Sequence, residues 1–220
     1  MNDHARRRHP LLNGSSGGFE KYQAVEWVGA GNARLNNLEA RINLDYIPKI
    51  MPRAVFRIQE NAISANHFCD VLGGLESGAK RFHWYVGTSG PRYYSHYGVG
   101  GSLSGSEITI SGNTWYDIDF SQEVYVNDVK RTTKNTVDWS DNTRSFCLFC
   151  GGESPTTLNP SYCGSRIAYF KLYDGNKLVR DLVPCRSKKS GRCGFWDRVT
   201  RRFFTSVSER NVLSKGEDLI

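Results

Sequence analysis

Apolar and polar residues alternate with a period of two on both sides of the short polar segment Asp174-Gly175-Asn176. The apolar positions are Ala168, Phe170 and Leu172 before this segment and Leu178 and Leu182 after it. Because Asp, Gly and Asn tolerate positive φ, the pattern predicts a β-hairpin with its turn at this segment. We expect Pro184 to end the second strand, since proline cannot donate a ladder hydrogen bond.

Short runs of this kind recur along the whole chain and are separated by turn residues. They are FEKYQAVEWV, EARINLDYI, RAVFRIQ, HFCDVLGG, RFHWYVG, RYYSHYGV, EITIS, WYDIDF, EVYVN, SFCLFC, RIAYFKLY, KLVRDLV and RRFFTS. The 22 Gly, 11 Tyr, 11 Phe and 5 Trp of the chain also favour strands joined by tight turns. The pattern predicts an all-β protein in which two antiparallel sheets pack as a sandwich.

The 220 residues fit one well-buried domain, which we place at residues 19–220. Residues 1–18 are rich in Arg, Gly and Ser and are predicted to be a flexible basic arm and linker. No stretch reaches the roughly 20 apolar residues of a membrane span, and the basic start has no apolar segment after it. We therefore expect a protein made in the cytoplasm without a signal peptide and without a membrane partner.

The formal net charge of +7 is concentrated near the C-terminus, where residues 186–202 hold seven Lys or Arg against one Asp. This stretch is either a solvated surface or a docking patch for an acidic partner. The sequence does not favour nucleic acid as a partner, because the segment RSKKSGRC lacks interleaved aromatic residues on which bases could stack. The candidate docking residues are Arg186, Lys188, Lys189, Arg192, Arg201 and Arg202.

The six cysteines are predicted to be free thiols, because a chain without a signal peptide is made in a reducing compartment. Cys147 and Cys150 have CxxC spacing, but positions i and i+3 of a strand point to opposite faces. A zinc site is therefore not favoured. With no dense Asp/Asn/Gly loop in the sequence, we predict no metal site and no cofactor.

The C-terminal third carries a series of motifs in a fixed order: Ser165-Arg166, Tyr173-Asp174-Gly175, Leu178-Val179-Arg180-Asp181, Pro184-Cys185 and Gly194-Phe195-Trp196-Asp197. This series resembles the C-terminal signature of concanavalin A-like lectin/glucanase jelly rolls. It is similar to the laminin G-like version, which is common in gut-bacterial and phage-associated proteins. The resemblance spans about residues 19–218 and implies a jelly-roll sandwich in which one sheet often binds glycan.

The hairpin at residues 81–99 is the first candidate for such a glycan-binding surface. Alternation predicts a core face formed by Phe82, Trp84, Val86, Tyr93 and Tyr97. The opposite face offers aromatic rings beside hydrogen-bond donors, a mixture that suits sugars, although a polar face that binds nothing has the same pattern. Its residues are Arg81, His83, Tyr85, Arg92, Tyr94 and His96.

The strand WYDIDF is the second candidate, because it places Trp115, Asp117 and Asp119 on one face. Glucanases of the family carry three alternating acids on one strand, and here Ser121 occupies the third position. The resemblance therefore does not favour hydrolysis, and we expect the two aspartates to bind hydroxyl groups or to lie exposed. Trp139, in a polar loop, is either a binding platform or folds back on the rim of the sandwich.

These features predict a non-catalytic module that adheres to carbohydrate or a host-cell surface. The resemblance implies a bacteriophage or gut-bacterial setting, with the protein in a virion or otherwise outside the cell. The alternative is a virion decoration or assembly protein that docks to other subunits through its N-terminal arm and has no glycan site. A glycoside hydrolase is less favoured than either, and the chain could form a homo-oligomer.

Overall fold

The computed structural model describes most of the chain between residues 18 and 219. The described residues are 18–30, 40–50, 52–60, 69–75, 80–86, 92–99, 106–133, 138–140, 142–143, 145–149, 164–208 and 212–219. Side chains of the segments 69–75, 92–99 and 106–107 are not described, and of the segment 80–86 only Phe82 and Trp84 are. The predicted N-terminal arm, apart from Gly18, lies outside these residues.

The described residues form one short 3-10 helix at Phe19–Lys21, and apart from the helical residue Ala40 they are otherwise strands, turns and irregular loops. No described helix has the length and apolar character that crossing a membrane requires. The strands are β1 (Tyr22–Ala24), β2 (Val28–Gly29), β3 (Ile42–Asn43), β4 (Pro52–Glu60), β5 (Cys69–Leu75), β6 (Lys80–Val86), β7 (Arg92–Val99), β8 (Ser106–Thr109), β9 (Trp115–Phe120), β10 (Glu123–Val126), β11 (Val129–Thr133), β12 (Cys147–Leu148), β13 (Ser165–Asp174), β14 (Lys177–Ser187), β15 (Cys193–Asp197), β16 (Arg202–Thr205) and β17 (Ser214–Lys215).

These strands form two antiparallel sheets. The large sheet has the order β11-β10-β9-β4-β13-β14-β15-β16, with β1 paired to β14, β2 to β13 and β17 to β2. The small sheet has the order β3-β12-β5-β6-β7-β8. The predicted all-β class is therefore confirmed.

The two sheets pack face to face through large apolar side chains. Phe82 and Trp84 of the small sheet meet Phe56 and Phe120 of the large sheet, and all four are fully buried. The ring centroids of Phe82 and Phe120 are 4.2 Å apart, and those of Phe56 and Trp84 are 5.7 Å apart. One continuous core between two sheets is the arrangement of a β-sandwich, as the sequence predicted.

The predicted hairpin is formed by β13 and β14, with Asp174 paired to Lys177 and Gly175 at φ 58°. Pro184 does not end the second strand, which continues to Ser187. Pairing of β14 with β13 stops at Leu182, and pairing with β1 begins at Cys185. Pro184 lies where the partner of β14 changes from β13 to β1, so its missing N–H removes no ladder bond to β13 or β1. The Pro184 carbonyl accepts a hydrogen bond from Val25 N at 3.1 Å.

The Arg180 and Asp197 side chains of the C-terminal signature meet inside the protein. Arg180 Nε lies 3.7 Å from Asp197 Oδ2, and the two side chains are 7% and 0% exposed. Arg180 also donates to the carbonyl of Leu44 through Nε at 3.0 Å and through Nη2 at 2.7 Å. Asp197 accepts from Thr200 Oγ1 at 2.7 Å. This buried pair ties β14 to the turn after β15 and to the segment that follows β3.

Candidate functional site

The two predicted glycan-binding groups belong to different sheets. Arg81, His83 and Tyr85 lie in β6 and Arg92, Tyr94 and His96 in β7, both in the small sheet, whereas Asp117 and Asp119 lie in β9 of the large sheet. Because the sheets are separated by the core, the structure does not bring the two groups together into one site.

In the small-sheet hairpin, the backbone register pairs His83 with His96 and Tyr85 with Tyr94. The core positions Phe82 and Trp84 are fully buried, as alternation predicted. The side chains of the six candidate residues lie outside the described part of the structure. Their role in binding stays a prediction.

The β9 strand has the alternation that the sequence predicted. Ile118 and Phe120 are buried in the core, while Trp115, Asp117 and Asp119 are partly exposed on the opposite side. This side of the large sheet, which faces away from the core, is called the outer face below.

Two further strands extend the outer face beside β9. In β4, Arg57 pairs with Asp117 and Val55 with Asp119. In β13, Tyr169 pairs with Arg57, Lys171 with Val55 and Tyr173 with Arg53. Directly opposed residues on neighbouring strands share a face of the sheet. The outer face therefore comprises Trp115, Asp117 and Asp119 of β9, Arg53, Val55 and Arg57 of β4, and Tyr169, Lys171 and Tyr173 of β13.

Arg53 and Asp119 form a two-pronged ion pair at one end of this face. Arg53 Nε donates to Asp119 Oδ1 at 2.8 Å and Nη2 donates to Oδ2 at 2.5 Å. The hydrogen bonds to Asp119 raise the pKa of Arg53 above its usual value. The Arg53 guanidinium also lies 5.3 Å from the centroid of the Tyr173 ring. Both oxygens of Asp119 are thus already engaged.

Asp117 sits at the middle of a looser cluster. Its Oδ1 accepts a hydrogen bond from the Tyr169 hydroxyl at 3.0 Å. Arg57 Nε is 3.9 Å from the same oxygen, which is beyond hydrogen-bond distance. The Arg57 guanidinium lies 5.7 Å from the centroid of the Trp115 ring, in the range of a cation–π contact.

The outer face thus combines partly exposed aromatic rings with cationic donors and carboxylate acceptors around the half-buried Val55. Such a surface can stack against the apolar side of a sugar ring and hydrogen-bond its hydroxyl groups. The sequence reasoning identified the β9 residues but missed the residues of β4 and β13. Their signal was present as alternation in RAVFRIQ and AYFKLY, but only strand pairing shows that these runs are neighbours of β9.

Trp139 is not a binding platform. Its side chain is 1% exposed and packs in the core, with its ring centroid 6.5 Å from that of Phe82. The polar neighbours of Trp139 in sequence suggested a loop at the surface, yet the indole turns inward and removes a large apolar area from water. Of the two alternatives that the sequence left open for Trp139, its burial agrees with the one in which it folds back on the sandwich.

The structure separates the candidate docking residues into two groups at opposite ends of β15. Arg186, Lys188, Lys189 and Arg192 lie at or near the β14–β15 turn, whereas Arg201 and Arg202 lie at the β15–β16 turn. They do not form one continuous patch.

Several of these cations also have partners within the chain. Arg186 Nη2 bonds Asp218 Oδ2 at 2.6 Å, and Arg202 Nη2 bonds Asp45 Oδ2 at 2.8 Å. Arg192 Nη2 donates to the carbonyls of Ser206 and Ser208 at 3.0 and 2.7 Å. Part of the positive charge of residues 186–202 therefore stabilises loops and the C-terminal segment.

The described thiols lie away from the surface, and the described side chains show no grouped metal ligands. Cys147, Cys185 and Cys193 are buried, and burial raises the pKa of the Cys185 thiol well above its usual value. Cys150, the second member of the CxxC pair, lies outside the described residues. Among the side chains that are described, no three His, Cys, Asp or Glu residues are grouped as metal ligands.

No protein-family model and no curated protein sequence matches this chain. Among solved structures, it is similar to a Bacteroides ovatus protein provisionally described as carbohydrate binding, with a TM-score of 0.51 and 12% identity over 88% of this chain. The chain spans 61% of that protein's length. An alginate lyase aligns with a TM-score of 0.36 and 12% identity, over 58% of this chain and 70% of the lyase. The first similarity shows a shared fold, and the second is too low to carry an argument.

Proposed function

We propose that this chain is a non-catalytic carbohydrate-binding module of the concanavalin A-like, laminin G-like type. The observation that carries the proposal is the outer face of the large sheet, where Trp115, Tyr169 and Tyr173 are partly exposed beside charged donors and acceptors. The shared fold with a protein provisionally described as carbohydrate binding supports it.

Binding takes place by stacking and hydrogen bonding rather than by enclosure. Trp115 and Tyr173 present ring surface to the apolar side of sugar rings, while Arg57, Lys171 and Asp117 hydrogen-bond their hydroxyl groups. An open sheet surface of this kind gives weak affinity for each site. Many copies on one particle would raise the overall affinity through multivalency.

The absence of catalysis is part of the proposal. A glycosidase needs one carboxyl group that can protonate the leaving group and a second that acts as nucleophile or base. Asp119 is held at both oxygens by Arg53, and Asp117 accepts from Tyr169. Ser121, at the third alternating position, donates to the Glu123 carbonyl at 2.9 Å. These contacts support a binding surface rather than an acid–nucleophile pair.

The setting is proposed from the sequence resemblance. The motif series from Ser165 to Asp197 is typical of gut-bacterial and phage-associated chains, so we place the module on a virion or another extracellular particle. A purified virion that contains the chain would support this placement. Detection of the chain only among cytoplasmic proteins of the producing cell would contradict it.

The test is binding of the purified chain to an array of immobilised glycans, followed by calorimetry on the best ligand. The double variant Trp115→Ala/Tyr173→Ala is expected to lose most binding, since stacking on an aromatic ring contributes on the order of 1 kcal/mol for each ring. The triple variant Arg81→Ala/His83→Ala/Tyr85→Ala tests the candidate face of the other sheet. If the outer face alone binds the glycan, this variant is expected to bind normally.

The reverse result, with binding lost only in the triple variant, would move the site to the small-sheet hairpin. Failure of the wild-type chain to bind any glycan would refute the carbohydrate function and favour a structural role in the particle. Circular dichroism of each variant confirms that it is folded.

A further inference from the structure

The charges that β4, β9 and β13 place on the outer face are not balanced, and this imbalance bears on the kind of sugar that the face would bind. These three strands carry three cations, Arg53, Arg57 and Lys171, and two carboxylates, Asp117 and Asp119. The neighbouring strand β14 adds Asp181 opposite Lys171, and Asp181 is paired with Arg198. Because Arg53 makes two hydrogen bonds to Asp119, these two charges neutralise each other. The remaining charges are Arg57 and Lys171 against Asp117.

Among the described residues, Arg57 has one long ion pair and Lys171 has none. Arg57 Nε lies 3.9 Å from Asp117 Oδ1, and the Arg57 side chain is 38% exposed. No described carboxylate lies within ion-pair distance of the Lys171 ammonium. Asp181, which pairs with Lys171 in the β-ladder, faces Arg198 Nη1 at 3.7 Å instead. Both cations are thus available to an anionic ligand.

Arg57 and Lys171 are also close enough to act on one group. Arg57 pairs with Tyr169, two residues before Lys171, so the two cations occupy diagonal positions on adjacent strands. Such positions are roughly 7–8 Å apart at the backbone. Two long side chains at this separation can converge on one carboxylate, and the guanidinium can bind it through two parallel hydrogen bonds.

The aromatic residues bracket this pair along the strands. Trp115 is paired with Gln59 at one end of β4, and Tyr173 with Arg53 at the other end. Gln59 lies six residue steps along the extended strand from Arg53, a length of about 20 Å. This length accommodates several linked sugar rings and exceeds that of a single terminal sugar.

We propose that the ligand of the outer face is a linear polysaccharide bearing carboxylates, with a uronate group bound between Arg57 and Lys171 and neighbouring rings stacked on Trp115 and Tyr173. This inference rests on the proposed carbohydrate function and names its substrate class. Arg53 neutralises Asp119 and Arg198 pairs with Asp181, so Asp117 is the acid beside Arg57 and Lys171 that most opposes an anionic ligand.

The experiment compares polysaccharides that differ only in charge. Calorimetry is done with polygalacturonate, polyglucuronate and hyaluronan, and with the carboxyl-reduced form of each. At least one acidic polymer is expected to bind about tenfold more tightly than its reduced form, which is the effect of one or two charge-assisted hydrogen bonds. The double variant Arg57→Gln/Lys171→Gln is expected to lose this preference and to retain the weaker affinity for the reduced polymer.

Lys188→Gln is the control, because Lys188 is an exposed cation at the β14–β15 turn, away from the outer face. An equal loss of affinity in this control would mean general charge attraction and would overturn the inference. Equal binding of acidic and reduced polymers would overturn it as well, while leaving the proposed carbohydrate function intact. Selective binding of sulfated glycans alone would also contradict it, whereas no glycan binding at all would refute both proposals.

Discussion

Replacing Arg180 by Met tests whether the buried pair of the C-terminal signature holds the sandwich together. Met is of similar length and apolar, so it fills the space of the arginine stem without a charge. The substitution leaves Asp197 buried, with a side chain that is 0% exposed, and without its cationic partner. It also removes the donors to the carbonyls of Leu44 and Asp45.

The expected loss in free energy of unfolding is about 3–5 kcal/mol, the usual cost of leaving one partner of a buried ion pair uncompensated. Proteins of this kind are stable by roughly 5–15 kcal/mol, so the variant is expected to unfold at a much lower denaturant concentration. Asp197 keeps hydrogen bonds from Asp181 N at 2.8 Å and Thr200 Oγ1 at 2.7 Å, which is why the loss is not larger.

The assay is equilibrium unfolding in urea, followed by tryptophan fluorescence. Arg202→Met is the matched control, because Arg202 also bonds the segment after β3, through Asp45, but the two side chains are 59% and 50% exposed. This exposed pair is expected to contribute less than about 1 kcal/mol. If Arg180→Met costs no more than Arg202→Met, the buried pair does not stabilise the fold and the reasoning is refuted.

Three further changes test other parts of the structure. Trp139→Ala is expected to lower the free energy of unfolding by about 3–5 kcal/mol, as for other buried tryptophans, and unchanged stability in urea would contradict its burial. Cys185 is expected to resist iodoacetamide in the native protein and to react once it is unfolded, because burial raises the pKa of its thiol; mass spectrometry of the labelled protein detects either result. Hydrogen bonds from Arg186 and Lys215 lower the pKa of Asp218, so its contribution to stability is present above the usual aspartate pKa of about 3.9 and is lost as pH falls through the lower folded value. The difference in Tm between wild type and Asp218→Asn is therefore expected to shrink below pH 4, and a constant difference in scanning calorimetry would contradict this.

Local patterns predicted the elements of the sandwich because each strand buries one face. In the strand WYDIDF, alternate side chains point to the same face, and the pattern predicts that Ile118 and Phe120 are buried. Both are buried in the core. The hairpin turn at Gly175 was predictable for a similar reason, since its left-handed backbone conformation restricts the residues that can occupy it.

Tertiary contacts overrode the local signal at Pro184, and at Trp139 they decided between two alternatives that the sequence left open. Pro184 stays within a strand because β14 changes partners at that position, which the sequence around the proline does not encode. Trp139 turns inward although its sequence neighbours are polar, because the core offers its indole more burial than the loop. In both cases the deciding residues are distant in sequence.

The candidate site was the hardest feature to predict because its residues come from strands far apart in the chain. Asp119 is bound by Arg53, 66 residues earlier, and Asp117 by Tyr169, 52 residues later. Alternation assigns each of these residues to an exposed face, but it does not determine which strands are neighbours or how they are aligned. Shifting β4 by a single residue against β9 would turn Arg53 and Arg57 into the core, so the register that buries Phe56 also positions both arginines. The apolar residues of the sandwich thus fix the charge pattern of its outer face.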